Sequence, residues 1–159
     1  MDNRRRGWGV AALLLITLPA WAGADGRWRL IEQTYQRGGS NLAPVEAPLR
    51  LELVLGPDGP QGRIWSGDDP SRSLVWPAFL AGESVRPVTV LERSAQDGEV
   101  AVRYRVQPAP GDDLVLEISE RYRASASGDA LEGTVEVRFT GGSRNRGGYT
   151  LHRRFERER

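Results

Sequence analysis

From Asp25 onward, apolar side chains recur at every second position, and no other feature of the chain constrains its fold as strongly. Leu49, Leu51, Leu53 and Leu55 share one parity, opposed by Arg50 and Glu52. Val100, Val102, Tyr104 and Val106 alternate with Ala101, Arg103, Arg105 and Gln107. Leu114, Leu116, Ile118 and Tyr122 oppose Glu117, Ser119, Arg121 and Arg123, and Leu131, Val135, Val137 and Phe139 oppose Glu132, Thr134, Glu136 and Arg138. Successive side chains of an extended strand point to opposite faces, so each run predicts an antiparallel strand with one dry face and one wet. The arginines and glutamates of the wet faces read as the solvated wall of the domain.

Turn formers separate the runs at hairpin spacing: Gly56 to Pro60, Gln96-Asp97-Gly98, Pro108 to Asp113, Ser127-Gly128-Asp129 and Gly141 to Gly148. Strands are predicted near 27–36, 49–55, 62–66, 86–93, 99–107, 113–123, 130–140 and 148–156. A further short strand or helical turn is expected between Ser73 and Leu80, broken by Pro77. About eight strands in one all-β domain favour a single antiparallel up-and-down barrel, because closure removes the edges along which open sheets aggregate. A two-sheet β-sandwich is the alternative, since alternation alone does not separate the two.

The first residues read differently. Arg4, Arg5 and Arg6 precede an apolar run from Val10 to Leu18, then Pro19 and the small residues Ala22-Gly23-Ala24. That order is the pattern of a signal peptide. Residues 1–24 are expected to be a leader cut after Ala24, with Ala20-Trp21-Ala22 as the second site, leaving 25–159 as the barrel domain. The apolar run falls short of the roughly 20 residues that span a bilayer. The expected location is periplasmic or secreted, with no stable membrane insertion of the mature chain.

Composition narrows the chemistry. Cysteine is absent, Met1 is the sole methionine and His152 the sole histidine, and the 22 basic residues are all arginine. Thiol nucleophiles, disulfides, Cys/His zinc sites and lysine Schiff bases are excluded. Twenty-two basic against 21 acidic residues argue against a nucleic-acid partner held by bulk charge. His152 takes the outer parity beside Thr150 and Arg154, which leaves no catalytic triad to assemble. Asp68-Asp69 and Asp112-Asp113 sit beside Gly and Pro as turn formers rather than as a spaced set of calcium ligands. Neither an enzyme activity, a cofactor nor a metal is expected.

The first strand of the domain opens Gly26-Arg27-Trp28, a G-x-W followed by alternation, and the last reads Tyr149-Thr150-Leu151-His152-Arg153-Arg154-Phe155. These two ends resemble those of lipocalins and their bacterial lipocalin-like relatives. The resemblance implies that Trp28 closes the base of a barrel and that a last-strand arginine, Arg153 by parity, packs on its indole face. It also implies an interior able to hold a small ligand.

Three further residues draw attention. Tyr104 and Tyr122 take inward parity on neighbouring strands, and Glu120 falls between Ile118 and Tyr122 on the same inner face. A carboxylate there needs partners, and together the three predict a polar point inside an apolar cavity, oriented toward a bound molecule. The apolar segment from Ser73 to Leu80 reads either as a plug that closes one end of the core or as a lid or partner patch centred on Trp76 and Phe79. The resulting expectation is an exported barrel that binds a small, largely apolar molecule in its interior. The alternative is a filled barrel that docks a protein of the cell envelope, for example as an inhibitor of an envelope enzyme.

Overall fold

The computed structural model describes residues 23–37, 40–42, 49–142 and 147–159. The predicted leader lies outside them except for Gly23 and Ala24, as do residues 143–146 of the Gly141–Gly148 loop. Among the described residues no helix is long and apolar enough to cross a membrane.

The chain is all-β. Eight long strands appear where alternation places them: β1 (Gly26–Arg37), β3 (Leu49–Gly56), β4 (Gly59–Ser66), β8 (Val88–Gln96), β9 (Glu99–Val106), β10 (Val115–Ala124), β11 (Ala130–Thr140) and β12 (Gly147–Arg157). Four three-residue strands join them: β2 (Ser40–Leu42), β5 (Leu74–Trp76), β6 (Phe79–Ala81) and β7 (Ser84–Arg86). The interruption expected at Pro77 falls between β5 and β6. Asp69 caps the short 3-10 turn Pro70–Arg72 by accepting from Ser71 N at 2.9 Å, so the Asp68-Asp69 pair does work as a turn former.

One antiparallel sheet of ten strands runs β5-β4-β3-β1-β12-β11-β10-β9-β8, with β2 paired to β1. β6 and β7 form a separate hairpin. A single sheet curling on itself excludes the sandwich. The curl brings β4 against β8, yet among the described residues no backbone ladder joins them. Arg93 of β8 spans this seam, donating from Nη1 to Pro60 O of β4 at 2.8 Å. The two-residue turn Asp97-Gly98 between β8 and β9 has both residues at positive φ (51° and 76°), as a type I′ hairpin turn requires.

The core follows the predicted parity: Leu51, Leu53, Val100, Val102, Val106, Leu116, Ile118, Leu131, Val135, Val137 and Phe155 are buried inside the curl. On the outer face, arginines pair with glutamates on neighbouring strands. Arg27 and Arg63 share Glu52, Arg103 and Arg105 share Glu117, and Arg154 meets Glu132. Such exposed pairs contribute little each, about 0–1 kcal/mol, and they also fix cross-strand register.

The base of the barrel corrects one expectation. Trp28 is sealed, and the guanidinium on its ring, 4.3 Å from the ring centre, belongs to Arg157 rather than Arg153. Parity was right, since both arginines take the inner face of β12. The register decides between them: Trp28 pairs with Arg157, whereas a bulge between Leu30 and Glu32 brings Gln33 opposite Arg153. Arg157 also closes three backbone ends, donating to the carbonyls of Gly128, Asp25 and Gly23 at 2.7, 2.8 and 2.7 Å. Arg157→Ala is expected to destabilise the fold by about 2 kcal/mol through the lost stacking and the unpaired carbonyls. Urea denaturation followed by tryptophan emission measures it, and an unchanged midpoint would show the guanidinium to be idle.

Candidate functional site

In the barrel interior, side chains of three strands converge on one carboxylate. Glu120 of β10 is 4% exposed and accepts from three donors: Tyr104 OH of β9 at 2.6 Å, Tyr122 OH at 2.7 Å and Trp76 Nε1 of β5 at 2.9 Å. The predicted trio Tyr104, Glu120 and Tyr122 is therefore brought together. Alternation explains why, since residues 120 and 122 share a face of β10, and register sets Glu120 opposite Val102 and Ile118 opposite Tyr104. The Tyr122 ring lies over Gly133 of β11, where a Cβ would come within 2.6 Å of it. Its edge also meets Trp76 and Phe155, with ring centres 6.1 and 5.9 Å apart.

A second layer sits on the first. Arg153 donates from Nη1 to Tyr122 OH at 3.2 Å and from Nε to Gln33 Oε1 at 2.7 Å. Tyr122 thus relays between the cation and the carboxylate. Burial, then the negative charge of Glu120, pushes the Tyr104 and Tyr122 phenols far above the usual tyrosine range. Burial works to lower the Arg153 pKa, but attraction to Tyr122 and Glu120 outweighs it and holds the group above the ordinary arginine value. The site is a charge pair bridged by neutral phenols, with no nucleophile poised beside a base.

Exposure along the inner rows shows which way this interior opens. On β12, Phe155 is sealed, while Arg153, Leu151 and Tyr149 are each half-buried. On β1, Trp28 and Leu30 are buried, while Gln33 and Tyr35 are half-buried. Tyr35, Tyr149 and Phe139 form an aromatic collar there, with centroid separations of 4.9 and 6.1 Å. One end of the barrel is floored by Trp28 and Arg157, and toward the other the inner rows of β1 and β12 carry the half-buried Gln33, Tyr35, Tyr149, Leu151 and Arg153. Because the donors around Glu120 are spent on it, Arg153 Nη2 is left as the donor without a protein acceptor among the described residues.

A patch centred on Trp76 and Phe79 is not found. Trp76 is wholly buried because its indole N–H serves Glu120, and Phe79 is half-buried against the core. The exposed apolar side chains of that segment are Val75, at 77%, and Leu80, at 54%. Three further participants escaped the sequence reading: Trp76 as a hydrogen-bond donor, Gln33, and Arg93, which stands 5.9 Å from the Trp76 ring centre. Bulges between Leu30 and Glu32 and between Val90 and Glu92 bring Gln33 and Arg93 to their positions, and a one-residue insertion leaves no mark in an alternating pattern.

No protein-family model matches the chain, and no curated protein does. Among solved structures it is similar to the apo form of Caenorhabditis elegans lipid binding protein 8. The match has 14% identity and a TM-score of 0.45, covering 86% of this chain and 96% of that one. A likeness at this level carries no argument about function.

Removing the central carboxylate strands three buried donors, so Glu120→Leu is expected to cost about 3 kcal/mol and Glu120→Gln distinctly less, measured by chemical denaturation. Equal losses in the two variants would show that the hydrogen bonds at position 120 are immaterial. The raised phenols set the alkaline limit. Below about pH 10, where an exposed tyrosine ionises, their contribution to stability is complete. Above it the unfolded phenols shed protons that the folded ones keep, and stability falls. Tyrosinate absorbance is expected to rise for these two residues only together with loss of near-ultraviolet circular dichroism. Ionisation of every tyrosine in the intact fold would contradict the burial.

Proposed function

We propose that this chain is an exported carrier barrel that holds one small amphipathic molecule at its open end. The apolar body of the molecule rests on Tyr35, Tyr149 and Leu151, and an acceptor group, most simply a carboxylate, meets Arg153. Tyr104, Glu120 and Tyr122 then act as supports that hold Arg153 in place, not as ligand contacts. One observation supports the reading: the inner row of β12 passes from a sealed Phe155 to a half-buried Arg153, Leu151 and Tyr149, so apolar side chains and a guanidinium with an unspent donor lie along one row. Burial of apolar surface would supply the affinity and the guanidinium the orientation. The leader-like order of residues 1–24 supports export.

Native mass spectrometry of the protein purified from an exporting host is expected to show a retained adduct, and a fluorescent fatty-acid probe to bind and be displaced. Arg153→Ala is expected to weaken the probe at least about tenfold, the order of one charged hydrogen bond. Arg154→Ala, on the outer face, should leave it unchanged. A clean apo mass together with no probe binding would sink the proposal.

A further inference from the structure

By sequence, two leader-cleavage sites are available, with the cut after Ala24 expected first, because Ala20-Trp21-Ala22 and Ala22-Gly23-Ala24 both set small residues at −3 and −1. The folded domain separates them. Ala24 is 1% exposed and belongs to the core, and its carbonyl accepts from Trp28 Nε1 at 2.9 Å. Arg157 donates to the carbonyls of Gly23 and Asp25 at 2.7 and 2.8 Å. The Asp25 carboxylate in turn accepts from the Leu55 amide at 2.9 Å. Residues 23–25 are thereby tied to β1, β12 and β3, and they complete the barrel floor.

A cut after Ala24 deletes two of the three carbonyls in this set and leaves the sealed indole N–H of Trp28 without an acceptor. It also creates an ammonium on Asp25, the residue whose carbonyl Arg157 holds, which sets a second positive charge beside that guanidinium. A cut after Ala22 keeps every one of these bonds, and its new ammonium falls on Gly23, which is exposed.

We infer that the mature protein begins at Gly23, and that Gly23 and Ala24 belong to the folded domain rather than to the leader. The inference rests on the export reading. The reaction is hydrolysis of the Ala22–Gly23 peptide bond by the host's leader peptidase. Water leaves its hydroxyl on the Ala22 carbonyl and its proton on the Gly23 nitrogen.

The test uses the full-length precursor expressed in an exporting bacterium, with intact mass and N-terminal sequencing of the envelope and culture fractions. A chain that starts at Gly23, heavier by one glycine and one alanine than the alternative, is the expected result. A chain that starts at Asp25 overturns the inference and leaves export standing. An uncut chain confined to the cytoplasm overturns export and the inference together.

Discussion

The stacking of Arg157 on Trp28 is the interaction on which the architecture depends. A curled sheet has to solve the problem of its two chain ends, and here one guanidinium solves it by covering an indole of β1 from β12. Its donors go to carbonyls that precede β1 and to one in the β10–β11 turn. The geometry uses what distinguishes arginine from lysine, a flat delocalised face for the ring and an edge of directed donors for the backbone. Gly26 belongs to the same device, since a Cβ there would come within 2.6 Å of Arg157 Nη1.

Above that floor the interior is organised around a charge that apolar surroundings would otherwise expel. A buried carboxylate is tolerable only when its lone pairs are filled, and Trp76, Tyr104 and Tyr122 fill them from three strands. The arrangement is directional. Two tyrosines with strongly raised pKa values stay neutral, and one of them, Tyr122, links Glu120 outward to Arg153. The Arg153 guanidinium is thus held in place by the core beneath it, through Tyr122 and Gln33.

Much of this was legible in the sequence, for a physical reason. Strands with one wet face write their parity into the chain, which is why Leu49 to Leu55 or Leu131 to Phe139 could be assigned to an inner face without coordinates. Glu120 stood out because it broke that parity, and Tyr104 and Tyr122 because they joined it with a hydroxyl to satisfy. What stayed hidden depends on register and on single-residue insertions. Arg153 and Arg157 are indistinguishable by parity, and only the pairing of β1 with β12 across the bulge near Ile31 tells which meets Trp28. Trp76 stayed open between core plug and exposed patch for another reason: a three-residue strand beside a proline is too short to show a period, and burial decides for the core.

The seam between β4 and β8 gives the domain an unusual mechanical character. A tube slotted along its length resists bending nearly as well as a closed one but yields far more readily to twisting and to widening. Here the slot is spanned by a guanidinium that reaches Pro60 O, in a ring whose other junctions are backbone ladders. Along this slot, side chains take over from the ladder: Arg93 also reaches Trp76 O of the edge strand β5, whose indole in turn fastens that edge to Glu120 across the bore.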